Sequence, residues 1–78
     1  MDLELAGRTA VVCGASEGIG LGVAEALADE GANVVMFARR AEPLEREASR
    51  LGGLAVPGDV TSAEDVERLV QTAVDAHG

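Results

Sequence analysis

Three short runs carry residue types able to hold an anionic ligand: Gly14-Ala15-Ser16-Glu17-Gly18-Ile19-Gly20, Arg39-Arg40 and Asp59-Val60. In the first, glycines remove Cβ atoms where a helix-patterned run begins, so amides lacking an intrahelical acceptor can donate to phosphate oxygens. Gly14 suits a sharp turn, Gly18 a close approach of pyrophosphate to the backbone, and Gly20 tight packing of helix on strand. The spacing Gly-x-x-x-Gly-x-Gly is one residue longer than the common Gly-x-Gly-x-x-Gly, so the flanking elements carry the reading. Without them the run is a βα turn that binds nothing. Ser16 can donate to a phosphate or stabilise the turn. Arg39 and Arg40 can each fork onto two phosphate oxygens, or open a helix as a solvated pair. Asp59 can accept from a ligand or brace the helix that follows it.

The elements that must position these residues are legible in the hydrophobic pattern. Thr9–Cys13 is a short, β-branched, mostly apolar run, as expected of a strand buried on both faces. A helix is expected over 18–30 with Ile19, Val23 and Leu27 as its stripe and Gly31 as its C-terminal cap. Asn33–Ala38 reads as a second buried strand. A helix over 42–51 follows, with Pro43 in its first turn and Leu44, Ala48 and Leu51 inward; Gly52-Gly53 ends it. Leu54–Val56 is a third strand, cut off by Pro57-Gly58. Thr61-Ser62-Ala63-Glu64 is a capping-box sequence with Thr61 at the N-cap. A last helix then presents Val66, Leu69, Val70, Ala73 and Val74 on one face and runs to Gly78. Strands alternating with helices imply parallel pairing through right-handed crossovers. The expected fold is α/β: a β-α-β-α-β-α unit in three layers with sheet order 3-2-1, the first half of a doubly wound nucleotide-binding sheet.

Composition narrows the partners. The 78 residues hold one small domain at most, 47% of them apolar, with Phe37 the single aromatic. Six basic residues, all arginine, against fourteen acidic ones give a net charge of −8, which argues against nucleic acid or an anionic membrane as partner. An anionic ligand must therefore be held by local features. Cys13, the lone cysteine, cannot form an internal disulfide. Its place in a strand pattern points to a buried, inert thiol. A single cysteine, no transmembrane-length run and no basic leader at Met1-Asp2-Leu3-Glu4-Leu5 fit a cytoplasmic setting. His77, beside the C-terminus, is expected to do no more than sit well at a helix end.

Taken together, Gly14-x-x-x-Gly18-Ile19-Gly20 after strand one, Ala38-Arg39-Arg40 after strand two and Asp59-Val60 after strand three resemble the N-terminal part of a classical short-chain dehydrogenase/reductase, with a Rossmann-type fold. The likeness spans essentially the whole chain, and departs from the family at Cys13, where Thr is usual. It implies a dinucleotide cofactor held by Gly14, Ser16, Gly18, Ile19, Gly20, Arg39, Arg40, Asp59 and Val60. The position that selects NAD through a carboxylate on the ribose hydroxyls is Ala38. The family assigns the next residue, Arg39, to a 2′-phosphate, so NADP is expected over NAD. Glu17 opposes this, since NADP-preferring relatives often carry a basic residue there. The resemblance places Asp59 on the adenine amino group and Val60 against the ring.

The same resemblance puts catalysis on a Ser, a Tyr and a Lys, and this chain has no Tyr and no Lys. No catalytic or metal-binding residue is therefore expected within residues 1–78, which read as a truncated half of the dinucleotide domain, inactive alone. The rival expectation is a half-unit that binds nothing and merely folds or self-associates. Strand one, normally central in the complete sheet, would have a free apolar edge, so a homo-oligomer through Thr9–Cys13 is expected, unless Met1–Gly7 folds back over it.

Overall fold

A computed structural model describes residues 8–77 of the chain. The elements are β1 (Thr9–Cys13), α1 (Gly18–Asp29), β2 (Asn33–Ala38), α2 (Ala41–Leu51), β3 (Leu54–Pro57) and α3 (Ala63–His77). The strands form one parallel sheet in the order β1-β2-β3, with Val11 opposite Val35 and Phe37 opposite Val56. This is the expected half of a doubly wound sheet. The proposed cover of the β1 edge by residues 1–7 lies outside the described residues.

β2 is the axis of the molecule because its side chains alternate between two cores. Val34 and Met36 join Val12, Ala15, Ala24, Leu44 and Ala48 on the face covered by α1 and α2. Val35 and Phe37 join Val56 and Leu69 on the face covered by α3. Four consecutive buried residues in β2 are what a strand covered on both sides requires. Phe37, almost fully buried, lies against Gly58, where an added Cβ would come within 2.8 Å of the ring. Gly58 thus makes room for the one aromatic side chain, beyond ending β3.

The helix ends follow local chemistry. α1 closes on Gly31 at φ +86°, with the Ala32 amide donating to Leu27 at 3.1 Å and the Gly31 amide to Ala28 at 3.0 Å. That is a Schellman termination, and Ala32 and Leu27 both pack against the core beside it. α2 ends likewise at Gly52, φ +73°, with the Gly53 amide reaching Ala48 at 2.8 Å. At α3 the cap shifts by one residue from the expectation. Ser62 is the N-cap, accepting from the Asp65 amide at 3.3 Å, because Asp59 already engages the Thr61 hydroxyl.

Three further expectations are corrected. β1 is an edge strand among the described residues, so only Val12 is buried and Cys13 is exposed, contrary to the buried thiol expected there. The inward face of α1 is Leu21, Ala24, Leu27 and Ala28, while Ile19 is 88% exposed and Val23 half-exposed. α3 buries Leu69 but leaves Val70 54% and Val74 59% exposed beside Val11.

The rotation of α1 is set by Gly20. A Cβ there would fall on the Gly14 carbonyl oxygen, 2.7 Å from its carbon and 3.3 Å from the Ala15 Cα. Only glycine lets the first helical turn lie directly on the turn out of β1. Gly20→Ala is therefore expected to cost about 1–3 kcal/mol by forcing backbone apart. Gly22→Ala on the same helix meets nothing within 4 Å and should instead add about 0.5–1 kcal/mol. Urea unfolding of the two variants checks both signs.

Candidate functional site

The three singled-out runs converge at the carboxyl ends of the parallel strands, the edge at which open α/β sheets bind ligands. β1 delivers the glycine turn. Gly14 (φ +68°) and Gly18 (φ +62°) hold left-handed backbone, a conformation glycine adopts without penalty. The space where their Cβ atoms would stand is open. The Gly14 amide is spent on the sheet, donating to Phe37 at 2.7 Å. The first amide of α1 with a helical acceptor is that of Leu21, which donates to Glu17 at 3.3 Å. The amides of Gly18, Ile19 and Gly20 donate to no backbone carbonyl among the described residues, and Glu17 at the N-cap makes no side-chain cap. These three donors and the positive end of the helix dipole face the open turn.

Two clefts flank the end of β2. One, of about 360 Å³, is lined by Cys13, Gly14, Phe37, Ala38, Arg39, Gly58 and Val60. The other, of about 630 Å³, lies between the glycine turn and the start of α2, lined by Ser16, Glu17, Arg40, Ala41, Glu42, Pro43 and Arg46. Arg39 and Arg40 thus face different spaces. Val60 is 60% exposed at the smaller cleft and free to border a flat ligand. Sequence reasoning did not single out Cys13, Phe37 or Gly58 of the smaller cleft, nor Ala41, Glu42, Pro43 or Arg46 of the larger. Cys13 could have been found from its adjacency to Gly14, whereas Arg46, about 1.7 helical turns beyond Arg40, carries no such signal in its spacing.

Asp59 braces the start of α3 with one carboxylate oxygen and faces Arg39 with the other. Its Oδ1 accepts from the Thr61 amide and the Thr61 hydroxyl, each at 2.8 Å, which braces the turn into α3. Its Oδ2 lies 3.6 Å from Arg39 Nη2, a loose and exposed ion pair. The Asp59 amide in turn donates to Asp65 Oδ2 at 2.9 Å, while Asp65 Oδ1 accepts from Arg68 at 3.1 Å. Arg68 also donates to the Pro57 carbonyl, tying α3 to the end of β3.

These bonds favour the charged carboxylates. The Thr61 amide, and then its hydroxyl, hold the Asp59 carboxyl below the usual aspartate range, with Arg39 adding to the effect. The Asp59 amide, and then Arg68, do the same for Asp65. A depressed folded-state pKa contributes stability that is present above the unfolded value and lost as pH falls through the folded one. Stability is therefore expected to be flat near neutrality and to drop below about pH 4. Asp65→Asn should flatten that drop, as read by urea unfolding across pH.

Among the described residues, no cluster of His, Cys, Asp and Glu could hold a metal ion, and no helix is long and apolar enough to cross a membrane. The family model for the short chain dehydrogenases matches residues 8–78. An uncharacterized oxidoreductase of Mycobacterium bovis is 45% identical over 91% of this chain and 30% of its own length. The dehydrogenase/reductase SDR family member 4 of Homo sapiens is 42% identical over 95% of this chain and 28% of its own. Among solved structures, the L-sorbose reductase of Gluconobacter frateurii, complexed with NADPH and L-sorbose, superposes with a TM-score of 0.89 at 38% identity, over 96% of this chain and 31% of that one. A 3-ketoacyl-(acyl-carrier-protein) reductase of Brucella melitensis complexed with NADH gives 0.89 at 36% identity, over 95% and 31%. The chain spans about three-tenths of the length of these relatives.

Proposed function

The chain belongs to the short-chain dehydrogenase family, and from that premise we propose that residues 1–78 are the adenosine-binding half of the Rossmann-type domain of an NADP(H)-dependent oxidoreductase. What carries this reading is the row of undonated amides at Gly18, Ile19 and Gly20, opening on a turn that no Cβ obstructs. Their fit to a pyrophosphate is physical: two negatively charged groups meet free N–H donors and a helix N-terminus. Gly14, Ser16, Gly18, Ile19 and Gly20 would hold the pyrophosphate side. Asp59 Oδ2, left over from bracing the α3 turn, would accept from the adenine amino group, with Val60 against the ring. Two relatives support the cofactor class, one complexed with NADPH and one with NADH.

NADP is favoured over NAD by the strand end. Ala38 offers no carboxylate to the ribose hydroxyls, and Arg39 and Arg40 follow it. A guanidinium pairs with a 2′-phosphate where a carboxylate would repel it. When bound, the nicotinamide end supplies hydride transfer. The residues here position the opposite end, and the chain's lack of Tyr and Lys leaves it without the family's proton donor. We therefore propose that these 78 residues bind without turnover.

The edge of β1, unpaired among the described residues, supports a second reading, self-association. Thr9–Cys13 carries no Lys, Pro or inward charge to protect it. Val11, Val70 and Val74 form an apolar groove of about 620 Å³ beside it. The occupant proposed is a second copy of β1, antiparallel about a two-fold centred on Val11, which would extend the sheet to six strands and join the grooves.

Ligand response and oligomeric state test these readings separately. The Cys13 thiol, exposed in the smaller cleft, reports on ligand directly: 2′,5′-ADP is expected to slow its alkylation and raise the unfolding temperature with concentration. Ala38→Asp should weaken 2′,5′-ADP binding about tenfold while sparing 5′-AMP. A flat response to both nucleotides would refute binding. Light scattering at micromolar concentration is expected to give a dimer that Val11→Lys splits; a monomer throughout would end the self-association.

A further inference from the structure

The arginines of this acidic chain are not used alike. Arg50 lies 2.8 Å from Glu25 and 2.7 Å from Glu47, linking α1 to α2. Arg68 pairs with Asp65 at 3.1 Å, and Arg39 rests against Asp59. Arg8, at the foot of β1, has no ion pair among the described residues and lines a separate groove. Arg40 and Arg46 stand together, apart from these pairs. No carboxylate among the described residues comes within the 4.0 Å of an ion pair with either, although the chain has fourteen acidic residues. Both line one groove of about 630 Å³ with Ser16, next to the undonated amides of α1. Two guanidiniums that form no ion pair among the described residues, on one wall of a molecule of net charge −8, are placed to take an anion from outside.

The geometry points to Arg46 as a specificity-determining residue, which together with Arg40 holds the 2′-phosphate of the nucleotide in the groove between the glycine turn and α2, while Arg39 stays on the adenine side. The inference rests on the nucleotide reading above and changes which side chains select the phosphate. Arg39 is the weaker candidate for that task because its guanidinium already faces Asp59 Oδ2 and lines the other cleft. Arg46 lies in the second turn of α2, on its exposed side, so its long stem can swing into the groove without disturbing the buried stripe of Leu44 and Ala48. Glu17 and Glu42 share the groove and oppose any anion there. They make the site selective for a ligand anchored elsewhere, since a free phosphate gains little from arginines facing two carboxylates.

Calorimetry with 2′,5′-ADP and 5′-AMP tests this, because the two differ by the 2′-phosphate alone. Arg46→Gln is expected to weaken 2′,5′-ADP about 3- to 5-fold and leave 5′-AMP unchanged, the upper range for one exposed ion pair. Arg39→Gln should change the ratio of the two affinities less than Arg46→Gln does. Arg46→Lys, which keeps the charge and loses the fork, should fall between wild type and Gln. Glu17→Gln should strengthen 2′,5′-ADP selectively. An unchanged ratio in Arg46→Gln, with wild type still preferring 2′,5′-ADP, overturns the assignment of Arg46 and leaves the nucleotide reading standing. Failure of the unmodified chain to bind either nucleotide overturns both.

Discussion

A missing methyl group at residue 20 governs the arrangement. Because Gly20 has no Cβ, α1 starts in contact with the carbonyl of Gly14 rather than a side chain's width away. The glycine-turn side of the carboxyl edge follows from that contact. It directs the amides of Gly18 to Gly20 into the turn and rolls Leu21, Ala24 and Leu27 onto the sheet. The same roll leaves Ile19 in solvent at the mouth of the site. Helix orientation and the exposure of these amides are thus one constraint, and packing cannot be optimised there without altering the turn.

The order and ends of the elements were legible because they rest on local signals: apolar runs for the strands, and glycines that end helices in left-handed backbone. What escaped the sequence depends on neighbours. α1 carries apolar residues on more than one side, so the Ile19-Val23-Leu27 spacing is as regular as the stripe that is buried. Cys13 and Val11 read as buried because a strand pattern does not say whether a further strand lies alongside. Thr61 and Ser62 each have an acid three residues later, so capping rules fit both. Asp59, two residues back, takes the Thr61 hydroxyl and leaves the cap to Ser62.

The site shows the same division. Gly14, Gly18, Gly20 and Asp59 stood out by residue type, yet the structure also gives Gly20 a packing duty and Asp59 a turn to brace. The separation of Arg39 from Arg40 into different clefts was not legible. Adjacent residues at a strand end point apart, and which cleft each one meets depends on where α2 begins. The −8 charge does not exclude an anionic ligand, because among the described residues the undonated amides of α1 adjoin a groove where Arg40 and Arg46 form no ion pair, although Glu17 and Glu42 line it too.

The division of β2 between two cores bears on how such a chain can change length over evolutionary time. Val34 and Val35 are neighbours in sequence but belong to opposite faces, one under α1 and α2, the other under α3. Inserting or deleting a single residue within Asn33–Ala38 would send Phe37 to the side built for Met36 and vacate the space beside Gly58. Lineages of this fold are therefore expected to vary in length at the turns between elements and to keep the residue count of the central strand.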